Sequence, residues 1–189
     1  MARPNRSREA ILEAAAALAA SRGISATTMD EIAVRAGVAK GSVYYNFAGK
    51  DELFGALFEE ARAKLVPLLE EAAQGEGRAP LEGIVRTLLG RLEANPDLAK
   101  LLVAEVFRSD RNWAETVGAF RDAVAGCFRR ALLAARPELG ADGHAMVPAV
   151  SVFGATLMSG LEWLAFEPER TLDEVAGALL DLLAPRPAA

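Results

Sequence analysis

Cysteine and histidine are almost missing from this chain of 189 residues, which has one of each, Cys127 and His144. A single cysteine excludes an internal disulfide framework and a cysteine-only zinc site. A single histidine leaves few ways to build a histidine-based metal centre or a catalytic triad. No paired acid/base spacing and no cofactor motif stands out, so neither an enzyme nor a bound cofactor or metal is expected. Sustained strand alternation, internal repeats and low-complexity linkers are missing too. The start, MARPNRSREA, is basic but leads into no long apolar region. No signal peptide is read there, and a cytoplasmic location is expected. Also missing is any Asp, Glu, Lys or Arg between residues 143 and 161. Such a run approaches the roughly 20 apolar residues of a membrane span. His144, Pro148, Ser151, Thr156 and Ser159 interrupt it, and Glu162 ends it. A helix apolar on every side is also what a dimer core requires, so burial is expected and no membrane partner.

Hydrophobic residues make up 52% of the chain and charged ones 25%, a balance that folds. The net charge is −5, but it is unevenly spread. Residues 1–50 hold seven basic side chains (Arg3, Arg6, Arg8, Arg22, Arg35, Lys40, Lys50) against four acidic ones (Glu9, Glu13, Asp30, Glu31). That head carries +3 and the remainder −8. Attraction to a polyanion depends on the local patch more than on the sum.

Helical spacing runs through the whole chain and predicts an all-α fold. The first helix is expected over about 7–22, with Ile11, Ala14, Ala15 and Leu18 on its apolar face and Gly23 ending it. Thr28-Met29-Asp30-Glu31 is a capping box, opening a second helix that ends near Ala36-Gly37. Gly37 supplies the left-handed conformation of a tight turn. A third, short helix covers about 39–46. A long helix over 50–73 follows, which Pro67 should bend. Further helices are expected over 80–94, 96–108, 110–136, 144–166 and 171–184, with Thr171 and Glu174 forming another capping box. Two short helices joined by a glycine turn form either a helix-turn-helix or part of a plain bundle. In the first case the second helix enters the major groove. Ser42, Tyr45 and Asn46 are then hydrogen-bonding groups for DNA, and Lys40 and Lys50 neutralise phosphates. Phe47, Ile32 and Val38 read as core. Arg3, Arg6 and Arg8 read either as a solvated tail or as groove and phosphate contacts.

The run ILEAAAALAASRGISATTMDEIAVRAGVAKGSVYYNFAGKDEL, from Ile11 to Leu53, resembles the DNA-binding head of the TetR family of bacterial regulators. Gly23, Thr28, Ile32-Ala33, Ala36-Gly37-Val38, Lys40-Gly41-Ser42, Tyr44, Phe47 and Lys50 carry the resemblance. It implies a three-helix head over 1–50 and a helical ligand-binding and dimerisation bundle over 51–189. It further implies a homodimer on a palindromic operator in double-stranded DNA, usually a repressor, released by a small molecule. By position, Thr28 braces the second helix near phosphate. Lys40, Gly41, Ser42, Tyr45 and Asn46 lie on the recognition side, and Tyr44 and Lys50 meet the DNA backbone. Two positions depart from the family pattern. Ala19 stands where a Phe is common, and Ala39 replaces a frequent Ser, removing a cap.

For the body, Ser151, Gly154, Leu157 and Leu161 on one helix and Leu172, Val175, Leu179 and Leu182 on the last are expected at a four-helix dimer interface. Gly160 and Ala155 are further small residues that allow close helix approach. Expected pocket walls are Phe107, Trp113, Phe120, Phe128, Phe153, Met158 and Trp163, each of which also reads as ordinary core. Glu105 interrupts LLVAEVF. It is either an exposed charge or a buried carboxylate paired with Arg91, Arg108 or a ligand. His144 reads as a helix-start polar residue and Cys127 as a small buried hydrophobe. The effector expected is apolar or aromatic. The alternative is a DNA-binding regulator whose body takes a protein partner and no small ligand.

Overall fold

The computed structural model describes residues 3–106, 108, 110–141 and 143–183, and every regular element among them is helical. In chain order these are α1 (Arg3–Arg22), α2 (Met29–Ala36), α3 (Lys40–Asn46), α4 (Lys50–Ala72), α5 (Ala79–Ala94), α6 (Pro96–Glu105), α7 (Ala114–Ala135), α8 (Met146–Phe166) and α9 (Leu172–Leu183). A 3-10 turn, Pro137–Gly140, precedes α8. The expected all-α class holds. Two ends differ from expectation: α6 stops at Glu105 and α7 begins only at Ala114. Between them Arg108 pairs with Asp110 and the amide of Ala114 returns to the Arg111 carbonyl, a turn that ends one helix and starts the next.

The chain divides into two compact units. The first joins Met1–Arg62 to Asp97–Phe120, and the second joins Ala63–Pro96 to Arg121–Ala189. The reason is one apolar cluster. Ile11, Ala15 and Ala19 of α1, Ile32 of α2 and Val43 of α3 share a core with Leu53, Phe54 and Phe58 of α4. Leu101 of α6, Trp113 and Val117 complete that cluster. Trp113 sits 5.8 Å from the Phe54 ring and 6.2 Å from Phe58, within the range of favourable tilted aromatic pairs. The three helices of the head therefore share their core with residues of α4, α6 and α7. Helix α4 remains helical through Pro67, whose missing amide leaves the carbonyl of Ala63 without its helical partner.

In the second unit α5 packs on α8 and α9, which also pack on each other. Helix α8 buries Ala149, Val152, Thr156, Gly160 and Trp163 along one side. Gly160 is what lets α5 approach: a Cβ there would lie 2.5 Å from Cδ1 of Leu92 and 3.0 Å from Cδ2 of Leu89. Trp163 donates its indole N–H to the Arg170 carbonyl at 2.9 Å, fixing the turn into α9. Thr171 and Glu174 form the expected capping box. Helix α8 is long and apolar enough to cross a membrane by length and composition alone. Its two faces account for that apolarity differently: one packs inside this unit, the other carries exposed Val147, Val150 and Met158.

Candidate nucleic-acid interface

Four interactions build the motif. The Thr28 hydroxyl accepts from the Glu31 amide at 3.3 Å, and the Glu31 carboxylate accepts from the Thr28 amide at 3.0 Å. This closed box starts α2, satisfying two amides that would otherwise lack partners. The same carboxylate receives Arg22 at 2.8 Å, which ties the end of α1 to the start of α2. Thr28 and Arg22 together hold the Glu31 carboxyl below the ordinary carboxylate range, the Thr28 hydroxyl contributing most. At the far end, Gly37 takes φ 66° and ψ 30°, and its amide returns to carbonyls of the last turn of α2. A side chain at that φ would be strained. Val38 then donates to the Ala33 carbonyl, turning the chain into α3. Helix α3 begins at Ala39 with no side-chain cap, as the departure from Ser implied.

Helix α3 places the expected contact residues on one short element, and they divide by exposure. Tyr45 is 88% exposed and Tyr44 47%, although both are large aromatic rings. Val43 is fully buried beneath them and anchors the helix. Gly41 is exposed, and no atom of the protein lies within 4 Å of where its Cβ would stand. Ser42 is half-buried. Asn46 is half-buried and donates its side-chain amide to the Ser42 carbonyl at 2.7 Å, which folds it back along the helix. Lys40 pairs with Asp30 of α2 at 2.7 Å.

Lys50 does something sequence reasoning missed. Its ammonium donates to three carbonyls of the α1–α2 loop: Ile24 at 3.0 Å, Ser25 at 3.1 Å and Thr27 at 3.1 Å. A lysine has three N–H donors, so this set uses all of them. In the free chain Lys50, expected at phosphate, thus braces the loop that presents Thr28. Arg8 likewise is no solvated tail. It pairs with Glu60 at 2.6 Å and its guanidinium lies 5.4 Å from the Phe47 ring centroid. Arg6 is exposed, and the side chain of Arg3 lies outside the described residues.

Of the two readings of Glu105, the buried carboxylate is the one found. It is 5% exposed, and its Oε2 accepts the indole N–H of Trp113 at 3.0 Å. Arg111 forms an ion pair with it, with Nε 3.7 Å from Oε2, and Arg108 adds a longer-range charge interaction. Arg111 also donates to the Ser25 hydroxyl at 3.0 Å, a second brace on the α1–α2 loop. Asn112 donates to Asp51 at the start of α4. Trp113 is therefore corrected from a pocket wall to a core residue of the first unit, and Phe120 is buried there as well.

In the second unit Phe128 and Phe153 meet at 5.4 Å, and Trp163 is buried on the Arg170 carbonyl. Met158 is 59% exposed, so it belongs to the outer face of α8 and lines no enclosed cavity. Phe107 lies outside the described residues. Cys127 is fully buried, and burial raises its thiol pKa. Of the residues expected at a dimer interface, Ser151 and Leu182 are exposed, the latter by 77%. Gly154, Leu157, Leu161, Leu172 and Val175 are half-buried. Leu179 is buried within its own unit, because its position on α9 faces inward beside Ala176 and Leu180. A cleft of about 390 Å³ lies among Arg78, Glu82, Arg86, Gly177, Leu180 and Asp181, and is crossed by ion pairs rather than lined by apolar groups.

Known proteins resemble this chain most clearly over its head. Residues 11–57 match the model of the bacterial regulatory proteins of the tetR family. The transcriptional repressor BepR of Brucella suis is 34% identical over 86 residues, which is 46% of this chain and 41% of that protein. The chain spans about half the length of the curated relatives it matches. The MbdR regulator of Azoarcus sp. CIB has the same fold, with a TM-score of 0.79 at 25% identity over 96% of this chain and 100% of that one. FadR of Bacillus subtilis, solved with stearoyl-CoA, gives 0.73 at 19% identity, covering 95% and 99%. The capped α2, the left-handed turn at Gly37 and the tyrosines exposed on α3 all lie within the matched stretch, and residues 11–57 of this chain are a DNA-binding head of the tetR family of bacterial regulatory proteins.

Proposed function

We propose that this regulator is a homodimeric repressor that binds a palindromic operator and is released by a small apolar or aromatic molecule. One observation carries the DNA half: Tyr45, a large aromatic with a hydroxyl, is 88% exposed on a short helix that begins with Lys40 and Gly41. An isolated protein gains nothing by leaving such a ring in water, whereas a base edge or sugar gives it a partner. In this reading Tyr45 and Ser42 reach base edges, Gly41 allows the close approach, and Tyr44, Thr28 and Lys40 meet the backbone. Asn46 contributes through its carbonyl oxygen, its amide being used within α3.

The exposed apolar residues of α8 and α9 support a second copy as partner. Val147, Val150, Gly154, Met158 and Leu161 follow a helical repeat opposite the buried face of α8, and Leu182 extends the stripe on α9. Beyond its own stretch of helix, a Cβ at Gly154 would meet no atom of the described residues within 4 Å, so the glycine leaves room for a partner. Isologous packing of two such faces would complete a four-helix interface. Two docked heads would then read half-sites about 34–36 Å apart. The apolar effector follows from aromatic Phe128 and Phe153 in the second unit and from the fatty-acyl ligand of the FadR complex. Helices α4 and α7 each run from one unit into the other and would carry the coupling. Allosteric coupling of about 1–3 kcal/mol would lower operator affinity roughly 5–150-fold.

The test is a selection of bound duplexes from a random pool, followed by titration of the recovered site. Salt-sensitive binding to a two-fold symmetric site by a dimer is the expected result. Recovery of no enriched sequence would refute the reading. Thermal-shift screening with acyl and aromatic compounds tests the effector, since a ligand of the folded state raises the melting temperature by mass action.

A further inference from the structure

Asp30 and Lys40 face each other across the turn of the motif. Nζ of Lys40 donates to Oδ2 of Asp30 at 2.7 Å, and both side chains are more than half exposed. Asp30 stands in the first turn of α2 and Lys40 opens α3. The ammonium also lies 6.0 Å from the ring centroid of Tyr44. Other charges around the motif are engaged differently. Glu31 is occupied by Thr28 and Arg22, and Lys50 is spent on backbone carbonyls. Lys40 is held by an exposed carboxylate, and exposed ion pairs are weak and readily exchanged. A DNA phosphate offers the same anionic oxygen to the same ammonium.

We propose that Asp30 is an internal substitute for DNA phosphate: it neutralises Lys40 in the free protein and withholds it from duplexes that lack the operator sequence. The proposal rests on the reading of α3 as the recognition helix. Binding without sequence preference comes almost wholly from phosphates neutralised and counterions released. Holding back one lysine therefore weakens that binding and flattens its salt dependence. On the operator, base-edge contacts from Tyr45 and Ser42 seat α3 so that a phosphate displaces Asp30 from Lys40, a seating that other duplexes do not offer. Asp30 thus widens the gap between operator and bulk DNA, and it is a positioning residue acting through Lys40.

The experiment titrates the full chain with a mixed-sequence duplex of about 30 base pairs at roughly 50–200 mM salt, read by fluorescence anisotropy. Wild type, Asp30→Asn, Asp30→Glu, Lys40→Ala and the double variant Asp30→Asn/Lys40→Ala are compared. One extra phosphate contact steepens the plot of log K against log salt by about 0.9, which at 0.1 M is roughly eightfold tighter binding per docked head. Asp30→Asn should show that change, and Asp30→Glu, which keeps the charge, should resemble wild type. In the Lys40→Ala background Asp30→Asn should do nothing. An Asp30→Asn protein with unchanged slope overturns the proposal. So does an equal gain in the Lys40→Ala background, which would reveal a general charge effect. Asp30→Ser serves in the same comparison if Asp30→Asn loses its helical circular dichroism. Failure of the wild type to bind any duplex in a salt-sensitive way would sink the DNA reading itself and this inference with it. That outcome is distinct, because it needs no variant at position 30.

Discussion

Gly41→Ala should make the protein more stable and a worse DNA binder at once. Gly41 lies inside helix α3, where glycine costs about 0.5–1 kcal/mol relative to alanine because its unfolded chain is freer. Nothing in the protein excludes the methyl group, since no atom lies within 4 Å of the Cβ position. The fold therefore gives no reason for the glycine. The substitution should raise the melting temperature by about 1–4 °C in a chain of this size. If α3 docks as proposed, the same methyl would meet DNA at van der Waals distance. Overpacking a close contact costs roughly 1–3 kcal/mol, which is about 5–150-fold in affinity. Melting by circular dichroism and anisotropy on the selected operator read the two effects separately. A Gly41→Ala protein that binds its operator as tightly as wild type would refute close approach at this point. A fall in melting temperature would show instead that the fold itself needs the glycine.

Lys50→Met should destabilise the head by roughly 1–3 kcal/mol, because three loop carbonyls lose a charged donor. Its loss of DNA binding should track unfolding and recover at low temperature, whereas a phosphate contact would be lost at every temperature. Gly160→Ala should cost about 1–3 kcal/mol by driving a methyl into Leu92 and Leu89, measurable by urea denaturation. Acid should weaken the two capping boxes. Glu31 and Glu174 both have folded-state pKa values below the ordinary 4.5, chiefly through bonds from Thr28 and Thr171. Their contribution is full above the unfolded pKa and disappears as pH falls through the depressed folded value. Glu31→Gln should thus melt below wild type at neutral pH and converge with it under acid; a constant gap would contradict the assignment.

Local features of the head were legible in the sequence, and contacts between distant residues were not. The Thr28–Glu31 box and the left-handed Gly37 involve neighbours three or four residues apart, so spacing alone reveals them. Lys50 reaches carbonyls 23 to 26 residues earlier, and no pattern marks a lysine that serves the backbone. The same limit hid the partner of Glu105. Trp113 follows it across a turn, where helical periodicity is interrupted. Periodicity also gave α9 an apolar side without saying how that side is shared. Leu179 goes to its own core and Leu182, three residues on, to the surface. Leu101, Trp113 and Val117 share the apolar cluster of the head across a long stretch of sequence, which leaves no local signature.

The division of the chain has a practical corollary in its optics. The protein has two tryptophans, and each compact unit holds one: Trp113 in the first and Trp163 in the second. Both are buried with the indole N–H bonded, one to the Glu105 carboxylate and one to the Arg170 carbonyl. Trp163→Phe leaves an intrinsic fluorophore that reports the head alone. Trp113→Phe leaves one that reports the helices around α5, α8 and α9. Denaturation curves from the two proteins, each set against circular dichroism of the same sample, should coincide if the units melt as one cooperative body and separate if they do not. Two native dyes thus give a reading of whether the two units unfold together, with no label attached.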